Sequence, residues 1–320
     1  MIERHRGIRT PEARSPDVRA HPAAEVRTPE GRARPAVREV IPTDPRFSAR
    51  WHEHDYPGPF ARWNYHPEYE IHFARSRGGR YIVGHSVGLF SAGQLVLIGP
   101  NVPHDWITDL APGESLPRSD MVFQFREEWL VACEAVLPEL AALRPLWQRA
   151  LSGIEFGGAA AAAAVTSLEA IGPATGAARL TQIFALFNAL ASAPETRLLA
   201  REWVPPLHDP RAAEIVGRSL DYILDNVSGP VRLSAAAALA GMSESAFSRY
   251  FKRSSGQNFT DLVRKLRLAH AAKLLQHTAD PVARIAAAVG YENLSNFNRQ
   301  FLRELGETPS AYRSRLRAAE

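Results

Sequence analysis

The sequence predicts an α+β multidomain chain. An N-terminal β-sandwich or β-barrel with a helical extension comes first, and an all-α domain of two helix-turn-helix units follows. Three observations carry this. Residues 46–125 break into short runs rich in β-branched and aromatic side chains, separated by Gly, Pro and Asn. Residues 126–192 are rich in Ala and Leu at helical spacing. From Asp209 onward the chain repeats itself at an offset of fifty residues. A length of 320 residues suits about two domains. With 45% apolar and 22% charged residues, both can build cores.

The elements follow in order. Residues 1–45 hold nine Arg and seven Pro with no apolar periodicity, so they are expected to be disordered. They are either a dispensable tail or a basic arm that touches nucleic acid. In 46–125, strands are expected at Tyr69–Ala74, Gly79–Gly84, Gly88–Phe90, Leu95–Ile98 and Met121–Phe125, a spacing that suggests a sandwich or barrel. In 126–192, helices are expected at Glu128–Val136 and Arg179–Ala191. On the second, Leu180, Ile183, Phe184, Phe187 and Leu190 form one apolar stripe. That stripe is either intramolecular core or the face on which two copies pair as a homodimer. Residues 193–208, with Pro194, Pro205 and Pro206, read as a linker to the helical domain at 209–320.

Composition excludes several classes. No run of about 18 apolar residues exists, which argues against a membrane partner, and no apolar stretch follows the basic N-terminus as a secretory signal would require. Cys133 is the only cysteine, which excludes an internal disulfide and a cysteine-built zinc site. Its neighbours Val131, Ala132 and Val136 make it a small core residue rather than a redox sensor. A cytoplasmic, nucleoid-associated protein is expected. Of the net charge of +4, the region from Asp209 carries +5, from 16 Lys and Arg against 11 Asp and Glu, and it holds all three lysines. The positive charge therefore sits on the helical domain, where a nucleic-acid surface belongs.

The repeat specifies that surface. At the fifty-residue offset Ala236 coincides with Ala286, Phe247 with Phe297, Arg249 with Arg299, Phe251 with Phe301 and Gly256 with Gly306. Each copy reads as a short Ala-rich helix, a Gly turn and a second helix. In the first copy Ser234 and Ser243 are expected caps. Phe247 and Phe251 face inward, while Ser245, Ser248, Arg249 and Lys252 share the opposite face. In the second, Asp280–Pro281 and Asn293 are expected to start the helices, with Ser295, Asn298 and Arg299 outward and Asn296 near the edge. Small polar residues let a backbone approach the major groove, Arg suits guanine and Asn suits adenine, so double-stranded DNA is the expected partner. The helix Asp261–His277 between the copies spans roughly 25 Å. It can hold two reading helices about one duplex turn, ~34 Å, apart.

The stretches MSESAFSRYFKRSSGQNF (242–259), RLAHAAKLL (267–275) and IAAAVGYENLSNFNRQFLRELGETPSAYR (285–313) resemble the AraC/XylS family of transcription regulators. The resemblance implies seven helices holding two helix-turn-helix units and asymmetric direct-repeat sites near promoters. It also implies an activator that recruits RNA polymerase. Ser245, Ser248, Arg249, Ser295, Asn296, Asn298 and Arg299 match the family's DNA-facing positions. Leu302, the counterpart of Lys252, stands where the family usually has a basic residue, which removes one phosphate contact. HPEYEI (66–71), GGRYIVG (78–84) and GQLVLIGPNVPHDW (93–106) resemble family members whose sensor is a cupin barrel.

His66, Glu70 and His104 lie where cupins often place metal ligands, with Asn64 in place of the first His and with His52, His54 and His72 as outside candidates. Three readings stand open. The set holds a divalent metal, it contacts a small-molecule effector without metal, or it braces loops. Trp51, Trp63, Tyr65 and Trp106 either line a pocket, Trp106 as an effector contact, or fill the core. No cofactor is certain, and a divalent metal in the barrel is the one candidate. The leading function is an effector-responsive, sequence-specific DNA-binding regulator and not an enzyme. The alternatives are a metal-dependent cupin enzyme with secondary DNA binding and an effector-independent architectural protein.

Overall fold

Antiparallel pairing organises the N-terminal half. The computed structural model describes residues 37–58, 63–108, 110–111, 113–200 and 210–318. The expected tail up to residue 36 and the linker residues 201–208 lie outside the described residues. One sheet runs β1 (Val37–Arg38), β3 (Asn64–Tyr65), β8 (His104–Ile107), β5 (Gly79–Val83), β6 (Ser86–Phe90). The other runs β11 (Thr196–Leu198), β10 (Ile154–Phe156), β7 (Gln94–Ile98), β4 (Tyr69–Ala74), β9 (Leu116–Phe125), β2 (Arg50–Tyr56). Residues of both sheets line one interior cavity, so the pair forms a barrel.

Alternation decides what each strand gives to which layer. In β4, Tyr69, Ile71 and Phe73 face a helical layer while Glu70 and His72 face the cavity. In β9, Met121, Phe123 and Phe125 face the helices while Asp120, Val122 and Gln124 face the cavity. The layer comprises α1 (Glu127–Val136), a short 3-10 turn (Pro138–Leu143), α2 (Arg144–Ala150), α3 (Gly158–Ile171) and α4 (Gly176–Ala191). Phe123, Phe125 and Phe187 are fully buried where sheet meets helices. Each such side chain stabilises by roughly 1.5–3 kcal/mol relative to exposure.

Several expectations need correction. Residues 37–45 are not all tail, because β1 pairs with β3 and Glu39 and Ile41 are buried. The barrel extends past residue 125, because β10 lies within the expected helical region and pairs with β7. The expected linker begins too early, since β11 pairs with β10 and Leu199 and Ala200 are buried beyond it. Both are three-residue strands, too short for a period-2 pattern to register. The α4 stripe is divided: Ile183, Phe187 and Leu190 join the intramolecular core, and Leu180 is 42% exposed. Cys133 is half-buried on α1, and burial pushes its thiol up, away from the reactive thiolate range.

Seven helices follow among the described residues: α5 (Pro210–Asp225), α6 (Leu233–Leu239), α7 (Glu244–Ser255), α8 (Phe259–His277), α9 (Val282–Ala288), α10 (Leu294–Leu305) and α11 (Pro309–Ala318). Two small cores hold them. Ile215, Leu220, Ala236, Phe247, Phe251, Leu262 and Leu266 form the first. Leu268, Ala272, Leu275, Ile285, Ala286, Phe297 and Phe301 form the second. Helix α8 contributes to both. The barrel also packs here: Trp63 and Ile82 are buried in the first core, Val87 leans on it, and Leu89 leans on the second. Lys265 on α8 donates from Nζ to the His85 carbonyl at 2.8 Å.

Candidate functional site

The two candidate reading helices are α7 and α10, and local chemistry starts and stops them alike. Ser243 Oγ accepts from the Ala246 amide at 3.4 Å, and Asn293 Oδ1 accepts from the Asn296 amide at 2.8 Å. Both are the expected caps. Gly256 and Gly306 end the helices with φ of 73° and 78°, a left-handed conformation that costs a side-chain-bearing residue steric energy. Two other caps differ. Helix α6 begins at Leu233, so Ser234 lies inside its first turn and caps nothing. Pro281 itself occupies the cap of α9, while Asp280 bonds Arg284 at 3.1 Å.

Phe247, Phe251, Phe297 and Phe301 are wholly buried, which turns the opposite faces outward. Ser245, Arg249 and Lys252 are exposed on α7, with Ser248 half-buried at the flank. Ser295 and Arg299 are exposed on α10, with Asn296 and Asn298 half-buried on either side. Arg299 Nη2 donates to Asn296 Oδ1 at 2.9 Å, which holds the guanidinium over the helix. The Asn298 Oδ1 atom is buried without a hydrogen-bond partner, so Asn298 stands at the flank and not on the outward face expected of it. Leu302 is 47% exposed where α7 carries Lys252.

What relates the two helices is Arg267, for which no local sequence pattern signals a role. It lies on α8 with its guanidinium donating to three backbone carbonyls: Val227 at 3.1 Å, Gly229 at 2.6 Å and Gly290 at 3.0 Å. The first two belong to the first unit and the third to the turn of the second. A Cβ at Gly290 would sit 2.8 Å from the Arg267 guanidinium carbon, so the turn glycine is also what admits this clamp. Arg264 adds bonds to Asp261 at 2.6 Å and to Glu304 of α10 at 3.3 Å.

The barrel interior is the second candidate site, a cavity of about 270 Å³. Glu70 and His104 line it, and His66 packs against Glu70, all three with buried side chains. His66 Nε2 lies 3.0 Å from Glu70 Oε2, and His104 Nε2 lies 3.6 Å from Glu70 Oε1. Backbone carbonyls orient both rings: His66 Nδ1 is 3.1 Å from Glu68 O and His104 Nδ1 is 2.8 Å from Val102 O. Gln124 donates to Glu70 at 2.9 Å. Burial alone would raise the Glu70 carboxyl, but the neighbouring His104 and His66 hold it well below the usual range. Burial pushes His104 down to about 4. Burial opposes charge on His66 too, yet the Glu70 hydrogen bond and charge raise it. The three groups thus form one coupled cluster in which Glu70 is held down by both imidazoles. Two imidazoles and one carboxylate with donor atoms within 4.8 Å of one another fit a divalent ion by donor chemistry.

Arg50, His52, His54, His72 and Asp120 share this cavity. Sequence reading missed Arg50 and Asp120 because β2 and the start of β9 were not recognised as strands. Trp106 lines the cavity, stacked on His72 at 3.9 Å. Trp51 and Trp63 do not: Trp51 donates to the Leu168 carbonyl at 2.9 Å under α3, and Trp63 is buried against α5.

These features define a tandem helix-turn-helix protein with a β-barrel domain. A family described as "Helix-turn-helix domain" matches residues 236–315. Regulatory protein SoxS of Salmonella typhimurium is 32% identical over 103 residues, covering 32% of this chain and 96% of that protein. The RCS-specific HTH-type transcriptional activator RclR of Escherichia coli is 31% identical over 126 residues, 38% of this chain, which spans 44% of that relative's length. A solved structure of a probable AraC family transcriptional regulator from Rhodopseudomonas palustris is 31% identical with a TM-score of 0.31, covering 32% of this chain and 96% of that one. The chain belongs to the AraC family of DNA-binding transcription regulators.

Proposed function

We propose that the chain is an effector-responsive, sequence-specific transcription activator of the cytoplasm that reads two adjacent major-groove segments of double-stranded DNA. The observation that carries this is the pair of reading helices tied to one helix, α8, by Arg267. With exposed Arg249 and Arg299 one repeat apart, they suit a two-part site whose halves lie about a duplex turn apart. Recruitment of RNA polymerase rests on the family likeness. The barrel cavity, lined by Arg50, Glu70, His104, Trp106 and Gln124, suits a small polar effector. An effector acts only by binding one arrangement better than another. The contact of β6 with α8, continued through β5 to β8, whose His104 and Trp106 line the cavity, supplies a route between the cavity and the reading helices.

His66, Glu70 and His104 would then meet the effector's polar groups. A second reading, favoured by their donor chemistry, places a divalent ion there, which would supply a Lewis-acid anchor for an effector oxygen. To test the first reading, purified protein is incubated with sheared genomic DNA at physiological salt and the retained fragments are sequenced, with and without small-molecule extract. A few peaks sharing a two-part motif are expected. Uniform weak retention under both conditions, with steep salt dependence, would instead mean architectural binding.

A further inference from the structure

We infer a metal site in the barrel, separate from His66, Glu70 and His104, formed by His54, His72 and Asp120, that takes a divalent first-row transition ion such as zinc. Strand register brings the three together. His54 on β2 pairs directly with Asp120 on β9, and His72 on β4 lies one inward step along, opposite Val122. All three side chains point into the cavity. His54 Nδ1 lies 3.7 Å from Asp120 Oδ2, and His72 Nε2 lies 3.5 Å from Asp120 Oδ1. These separations exceed a hydrogen bond. Ligand atoms around one ion with bonds of about 2.1 Å stand roughly 3–3.5 Å apart; the His72–Asp120 separation is of that size, and the His54–Asp120 separation is a little wider.

Their donor atoms all fall within 4.8 Å of one another. The His66–Glu70 pair, by contrast, is closed on itself at 3.0 Å.

The surroundings fit a built ligand set. Trp106 stacks on the His72 ring at 3.9 Å with 19° between planes, and its indole N–H donates to Gln94 Oε1 at 3.1 Å. The His72 ring plane is therefore held while Nε2 faces Asp120, as outer residues do for metal ligands. His72 and Asp120 are buried, whereas the His54 side chain is 35% exposed, which leaves a way in for the ion. Inward residues step about 7 Å along a strand. Asp120 is two such steps from Gln124, the residue that bonds Glu70, and His72 is one step from Glu70, so this set is displaced along the cavity from Glu70. Coordination positions toward the cavity stay open to water or to an oxygen donor on the effector.

The inference stands apart from the regulator reading, because it is tested on metal content alone. The purified chain is stripped with a chelator and dialysed against zinc, and bound metal is measured by elemental analysis and calorimetry. Cobalt visible absorption serves as a second probe. His54→Gln and Asp120→Asn are each expected to weaken zinc at this site by at least tenfold, while His66→Gln leaves that zinc in place. Melting curves of the metal-free variants check folding, and Asp120→Asn, nearly isosteric, carries the test where His54→Gln fails to fold. Absence of zinc in the parent chain overturns the inference. So does zinc that survives both variants, or that only His66→Gln removes.

Discussion

Arg267 bonds three carbonyls from two helix-turn-helix units with one planar guanidinium. A lysine ammonium cannot span them, because it lacks the fork. Arg267→Ala is expected to lower stability on the order of 2–3 kcal/mol, the range for hydrogen bonds to a charged group. Arg267→Lys should recover only part of this in urea unfolding. At the reading surface, Arg249→Ala and Arg299→Ala should each cost about 1–3 kcal/mol of specific affinity, measured by titration of the cognate site. Lys252 and Leu302 make a paired test of charge. Lys252→Ala should reduce the slope of log affinity against log salt by about one, and Leu302→Lys should raise it by about one. The outward Arg residues were legible in the sequence because the wholly buried Phe pairs fix the opposite face. Arg267 was not, because its acceptors lie on backbone distant in sequence, and an Arg on a helix usually reads as a solvated charge.

Elements with a clean period were read well. Strand β4 was placed at its observed bounds, and α7 and α10 follow from their caps and stripes. Asn293→Ala should shorten α10 from its start and lower stability by about 1 kcal/mol, visible as a lower melting temperature. Strand β2 escaped because its sequence, RWHEHDY, reads as polar. It nevertheless alternates up to the register shift after His54: His52 and His54 line the cavity and Trp51 packs outside under α3. A polar cavity inverts the usual rule that the inward face is apolar. Strands β10 and β11 escaped for want of length, since their place is set by the β7 edge they complete.

At the scale of the whole molecule, Val87 and Leu89 of the barrel lean on the two cores that α8 joins. Leu89→Asp would bury a charge at that contact, which the contact cannot satisfy. The expected outcome is one calorimetric transition splitting into two, with the circular dichroism of the folded chain unchanged. A single unaltered transition would show that this contact contributes little to cooperativity. Burial already acts against charge elsewhere between the barrel and the helices. Burial pushes the Asp105 carboxyl up to about 8, with Asp221 of α5 adding repulsion and Arg80 opposing it.

The sequence by itself determined what is local and periodic: two similar helix-turn-helix units, their buried Phe pairs, the caps of both reading helices and the main barrel strands. Periodicity and capping act within a few residues, so their signal is written along the chain. Only the tertiary structure decided which side chains share the cavity, how Arg267 sets one unit against the other, and that β6 docks on α8. Those outcomes depend on strand register and on contacts between segments far apart in sequence. A register change of one residue would send every cavity-lining side chain of a strand to the opposite face.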